Sequence, residues 1–141
     1  MDIKTIKIDT DRVEQGAWVG DKYGRPIPDM GDLCLQVRGI NNADWRRMQS
    51  RMIANVPRAK RLSGRIDLVE MDRINTVLMR DCGLTGWENM TEDGVEVPYS
   101  KESAERYLTD PVYVAFRDAV MWACTVVGDG ILEQVEADAK N

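Results

Sequence analysis

Leu33-Cys34-Leu35-Gln36-Val37-Arg38-Gly39-Ile40-Asn41-Asn42 is where the hydrophobic period changes, and the fold class turns on it. Up to Arg38 apolar residues alternate, so Leu33, Leu35 and Val37 share one face of a strand. Gly39 ends that strand, and Asn41 or Asn42 offers a side-chain oxygen to the free N–H groups of a following helix. Trp45, Met48, Met52 and Val56 then recur at helical spacing, which gathers them into one stripe and turns Arg46, Arg47 and Arg51 elsewhere. Strand before, helix after: the expectation is an α+β fold, a small N-terminal antiparallel sheet followed by a mainly α-helical C-terminal part.

Upstream, Ile3, Ile6 and Ile8 and then Ala17-Trp18-Val19 favour strands, broken by Asp9, Asp11 and Gly16. Asp21-Lys22-Tyr23-Gly24 is a turn, prolonged into a loop by Pro26, Pro28 and Gly31. Residues 1–40 are thus expected to supply the sheet.

Downstream, Pro57 closes the first helix, and 58–64 reads as a connector. Met71, Ile74, Leu78 and Cys82 mark a second helix, with Gly83 placed as its C-terminal cap. The stretch 84–99 breaks the period around Glu92-Asp93-Gly94, so a short hairpin or irregular excursion is expected near 86–99. Ser100 caps a helix through Leu108, and Asp110-Pro111 starts the last one. There Phe116, Val120, Ala123 and Val127 form the stripe to be buried, while Gly128 and Gly130 weaken the helix end. The polar tail 129–141 extends the helix if something packs on Ile131, Leu132 and Val135. At 141 residues the chain suits a single domain, 1–141.

Composition narrows the function. Histidine is absent, which removes the commonest general base, Ser-His and Cys-His nucleophiles, and imidazole zinc sites. Cys34, Cys82 and Cys124 are far apart and odd in number, so they read as reduced, buried thiols. The carboxylate pairs Asp29/Asp32, Glu92/Asp93 and Glu102/Glu105 fall in turns or on exposed faces. Neither an EF-hand nor a phosphate loop is spelled out. The expectation is a protein that is not an enzyme and takes no cofactor and no metal. The opening Met1-Asp2-Ile3-Lys4 shows no apolar leader, and no run suffices to cross a bilayer, so an unexported chain without a membrane role is expected.

Charge is unevenly spread: a net −2 over residues 1–45, +7 over 46–65 and −10 over 67–141, within a total of −5. Seven Lys and Arg with no acid run from Arg46 to Arg65. They form a solvated face paired with the acidic C-terminal half, a surface for an acidic protein partner, or a contact to nucleic acid. Nucleic acid is the least favoured, because Trp45 alone is available for stacking. Likewise Trp45, Met48 and Met52 are either core or an adaptable groove for another protein's helix.

A succession of phrases resembles the tail assembly chaperones of long-tailed bacteriophages and prophages. They are Gly16-Ala17-Trp18-Val19, then Val37-Arg38-Gly39-Ile40-Asn41-Asn42-Ala43-Asp44-Trp45-Arg46-Arg47, then Gly86-Trp87-Glu88-Asn89 with Asp93-Gly94. Pro98-Tyr99-Ser100, Leu108-Thr109-Asp110-Pro111 and Phe116-Arg117-Asp118-Ala119-Val120 follow in order. The resemblance implies a non-enzymatic helper in the cytoplasm of the infected bacterial host. It would bind the tape-measure protein, recruit major tail-tube subunits and be absent from the finished virion. It also implies a longer form made by a −1 ribosomal slip, for which the code permits the heptamer A AAA AAC across Ala139-Lys140-Asn141.

The candidate contact set is Trp45, Met48 and Met52 for an apolar groove, Arg46, Arg47 and Arg51 for its rim, and Trp87 and Tyr99 as further anchors. Two rival functions are a structural virion protein, such as a head-to-tail connector or tail-completion subunit, and a nucleic-acid-binding regulator using Arg46 to Arg65.

Overall fold

Strand β2 (Cys34–Val37) runs through the middle of a three-stranded antiparallel sheet, and the computed structural model, which describes residues 1–130, builds everything else around it. On one side β1 (Ala17–Val19) pairs Ala17 with Val37 and Val19 with Leu35. On the other, β5 (Leu84–Glu88) pairs Leu35 with Trp87 and Val37 with Leu84. The register shifts between Gln36 and Val37, and Thr85 Oγ donates to the Gln36 carbonyl at 3.0 Å. The α+β class is as expected, but the sheet is not confined to the first 40 residues: its third strand arrives from the second half of the chain.

The N-terminal expectation is corrected. Ile3–Ile6 forms a 3-10 turn and Thr10–Gln15 a short helix, α1, instead of strands. Asp2 accepts from the Lys4 N–H and Asp9 from the Arg12 N–H, so two aspartates cap local turns that outcompete pairing. Ile3 and Ile6 are also three apart, a helical spacing, and both stay exposed.

Asn42 caps α2 (Ala43–Ala54), accepting from the Trp45 N–H at 2.9 Å. The segment expected to be a connector contains a small hairpin, β3 (Arg61–Leu62) and β4 (Arg65–Ile66), before α3 (Leu68–Leu78). Gly83 is not a left-handed cap: α3 passes into a widened π-helical turn, Met79–Gly83, that feeds β5 directly. A Cβ on Gly83 would lie 2.9 Å from Cys124 Sγ and 3.2 Å from the Trp45 ring, so close packing is what requires glycine there. A second hairpin, β6 (Thr91–Glu92) and β7 (Val95–Glu96), turns through Asp93 and Gly94, both at positive φ. Ser100 caps α4 (Lys101–Thr109), and Asp110-Pro111 opens a 3-10 turn that runs into α5 (Val114–Gly128).

Helix α5 lies against β2, α4 and the π-helical turn, and its stripe of Phe116, Val120, Ala123 and Val127 is buried. Gly128 does more than weaken the helix end. A Cβ there would sit 2.7 Å from Ile40 Cγ2 and 2.8 Å from the Ile40 carbonyl oxygen, so glycine lets the strand-to-helix loop cross α5. Ile40 N–H donates to the Cys124 carbonyl at 2.9 Å across the same crossing. Cys34, Cys82 and Cys124 are buried and unbridged, and desolvation pushes the Cys124 thiol up to about 12. Ile131, Leu132, Val135 and the Ala139-Lys140-Asn141 heptamer lie outside the described residues.

Candidate functional site

The expected groove divides into an inside and an outside. Trp45 is 1% exposed, sealed beneath Gly83, and fills the core where a partner cannot reach it. Met48 and Met52 are half-buried against that core, with Met48 Sδ 3.8 Å from Cys82 Sγ. Arg47, Met48 and Arg51 do meet at the surface, lining a shallow cleft of about 210 Å³ with Asp44, Asp81 and Cys82. Arg38 holds Asp44 at 2.8 Å, and Arg47 adds a contact at 3.2 Å. Those guanidiniums, Arg38 first, lower the Asp44 carboxyl from its ordinary value.

Trp87 and Tyr99 come together, ring centroids 5.1 Å apart and edge to face. Trp87 is 7% exposed, packs edge-on to Tyr107 and Phe116, and donates its indole N–H to the Val97 carbonyl at 2.7 Å. Tyr99 is half-buried and donates to the Leu84 carbonyl at 3.3 Å. These bonds pin the second hairpin to the sheet. Glu92 fastens it to α4, accepting from Tyr107 at 2.6 Å, Arg106 at 3.0 Å and Tyr113 at 3.1 Å. The Tyr107 hydroxyl is the main cause holding the Glu92 carboxyl below its ordinary range.

The seven basic residues separate by geometry. Arg47 pairs with Asp44 on its own helix, and Lys60 reaches Glu70 at 3.2 Å. Arg61 donates to the Ile53 and Val56 carbonyls. Arg46, Arg51, Arg58 and Arg65 are exposed and make no ion pair or side-chain hydrogen bond among the described residues. Among the described residues, pairing with the acidic half of the chain accounts for Lys60 alone and leaves Arg46, Arg51, Arg58 and Arg65 exposed.

The surface that sequence reasoning missed is the β3–β4 hairpin with the first turn of α3. Ser63 and Gly64 carry φ of 52° and 81°, which lets two residues reverse the chain tightly. A Ser-Gly pair between Arg61-Leu62 and Arg65-Ile66 was the available signal. Asp67 caps α3 and donates its own N–H to the Lys60 carbonyl at 2.8 Å, closing the hairpin base. Leu62, Leu68 and Val69 are 81%, 84% and 76% exposed. Leu62 and Leu68 share the lining of a hollow of about 560 Å³ with Ala59, Lys60, Arg61, Arg65, Ile66 and Asp67.

Beneath the hairpin, Glu70 is a nearly buried carboxylate that accepts from Arg73 and Lys60. Those bonds, Arg73 first, hold its pKa down to about 2 despite burial. The hairpin is thus clamped from below, with Ile66 half-buried against the core and Leu62 left uncovered.

The family described as YdaY prophage protein has a model that matches residues 40–141, from the strand-to-helix loop onward. The chain belongs to the YdaY prophage protein family. It is a phage or prophage protein, and the YdaY match spans α2, the β3–β4 hairpin and α3. No curated protein and no solved structure matches the chain. Among the described residues of this YdaY family member, no group of three or more His, Cys, Asp or Glu could hold a metal ion, and no helix is long and apolar enough to cross a membrane.

Proposed function

We propose that this prophage protein is a tail assembly chaperone that binds the tape-measure protein and helps recruit tail-tube subunits, by contact and without catalysis, in the cytoplasm of the infected host. The observation that carries this reading is that Leu62, Leu68 and Val69 remain more than three-quarters exposed on a clamped hairpin and helix start. Grouped large apolar side chains outside a core mark sites of association. Membership of a prophage family and the succession of tail-chaperone-like phrases from Gly16 to Val120 support the same role. A longer frameshifted form sharing this body would carry the same surface.

The test is co-expression with the tape-measure protein encoded in the same prophage, followed by capture on a tag placed on this chain. The chaperone reading expects the tape-measure protein in the soluble, captured fraction, and expects this chain to be missing from purified particles. An abundant match to this chain in the mass spectrum of purified particles, with no capture, favours a structural virion protein.

A further inference from the structure

We infer that the β3–β4 hairpin and the first turn of α3 form a seat for an acidic amphipathic helix of a partner protein. This deepens the proposed chaperone role and rests on its premise that the chain acts by binding another polypeptide.

Three features specify the occupant. Leu62, Leu68 and Val69 supply an apolar centre, and Ile66 forms part of the adjoining hollow's wall. Arg65 lines the hollow with Leu62 and Leu68, and Arg58 begins the 3-10 turn (Arg58–Lys60) that leads into the hairpin; both are exposed and without ion-pair partners among the described residues, in a stretch from 46 to 66 that holds no acid. Glu70 beneath the hairpin is neutralised by Lys60 and Arg73, and Asp67 on the hollow's wall accepts from the Val69 N–H at 3.4 Å, so Lys60, Arg61 and Arg65 leave the lining net basic. An apolar centre with a basic rim is complementary to a leucine stripe flanked by glutamates. β3 and β4 are two residues each, too short to template an added strand, so a helix fits better than an extended peptide. Nucleic acid fits worse, because leucine and valine at the centre contact no phosphate and the hollow's lining holds no aromatic ring for stacking. The seat is also preorganised: Arg61 ties the hairpin to the Ile53 and Val56 carbonyls, and Lys60 ties it to Glu70.

The probe is a synthetic helical peptide of about 20 residues with a leucine stripe bordered by glutamates, compared with its scrambled isomer. Binding is read by fluorescence anisotropy at low and high salt against the parent chain, R58E/R65E and L62S/L68S/V69S. The substituted side chains are exposed, and circular dichroism checks that both variants keep the parent fold. The expected result is that the charge reversal and the scrambling each weaken binding about tenfold, the serine variant abolishes it, and salt weakens it. Equal binding by parent and variants overturns the seat. So does capture of a short DNA duplex that depends on Arg58 and Arg65 without capture of the peptide, or self-association through the leucines without peptide binding. Repeating tape-measure capture with the same variants separates the two readings. Peptide held but tape-measure protein lost defeats the chaperone role alone; tape-measure protein held equally by parent and serine variant defeats the seat alone.

Discussion

The side-chain amide of Asn42 donates to the Cys82 carbonyl oxygen at 2.8 Å, tying the start of α2 to the π-helical turn that launches β5. The same amide donates to the Gly39 carbonyl at 2.9 Å, while its oxygen caps the Trp45 N–H. All of this lies in a fully buried residue. Asn42→Ala removes a cap and the side-chain donor to the Cys82 carbonyl, while the Gly39 carbonyl keeps the residue's backbone N–H, for an expected loss of about 3 kcal/mol in urea unfolding. Asn42→Asp should also destabilise, because a carboxylate keeps the cap but cannot donate to either carbonyl.

At Gly128 two effects oppose each other. Alanine gains about 1 kcal/mol of helix propensity over glycine, but its Cβ would collide with Ile40, and overpacking against backbone costs about 1–3 kcal/mol. We expect Gly128→Ala to lower the thermal midpoint. A raised midpoint would mean that the loop at Ile40 yields freely.

Trp45→Ala should cost about 3–5 kcal/mol, since the ring fills the core beneath Gly83. Loss of partner binding in that variant would therefore report unfolding. Met48→Ser and Arg51→Glu, at the surface cleft, interrogate the α2 face without that confusion, provided their unfolding midpoints stay near the parent's.

Glu70 imposes a pH dependence whose sign follows from its lowered pKa. The folded carboxyl titrates near 2 and an unfolded one near its ordinary 4.5, so the stabilisation is complete above that range and fades as pH falls through it. The difference in urea midpoint between the parent chain and Glu70→Gln should be largest near neutral pH and shrink toward pH 2. A constant difference across that window would contradict the ion-pair clamp.

Much of the architecture was legible because it is written locally. The change of period at Gly39, the caps at Asn42 and Ser100, the Asp110-Pro111 start and the α5 stripe all appear where sequence spacing places them. What was not legible is long-range. Nothing near Leu84 announces pairing with Cys34–Val37, and the crowding of Gly83 by Cys124 and of Gly128 by Ile40 exists only once the chain has folded. At the N-terminus the isoleucines favour strands by composition, whereas in the fold the caps of Asp2 and Asp9 prevail. The same holds for the candidate site. A stripe containing Trp45 could be core or groove, and only the fold places the tryptophan inside and Leu62 of the missed hairpin, with Leu68 of α3, outside.

The central claim is that this chain works by holding another polypeptide on its exposed apolar surface. Its most direct test is the fraction of the prophage's tape-measure protein that stays soluble when co-expressed with the parent chain, with L62S/L68S/V69S, or alone. We expect the parent to keep it soluble and the serine variant to fall to the level of the tape-measure protein alone. A tape-measure protein that is equally insoluble with and without the parent chain would contradict the account.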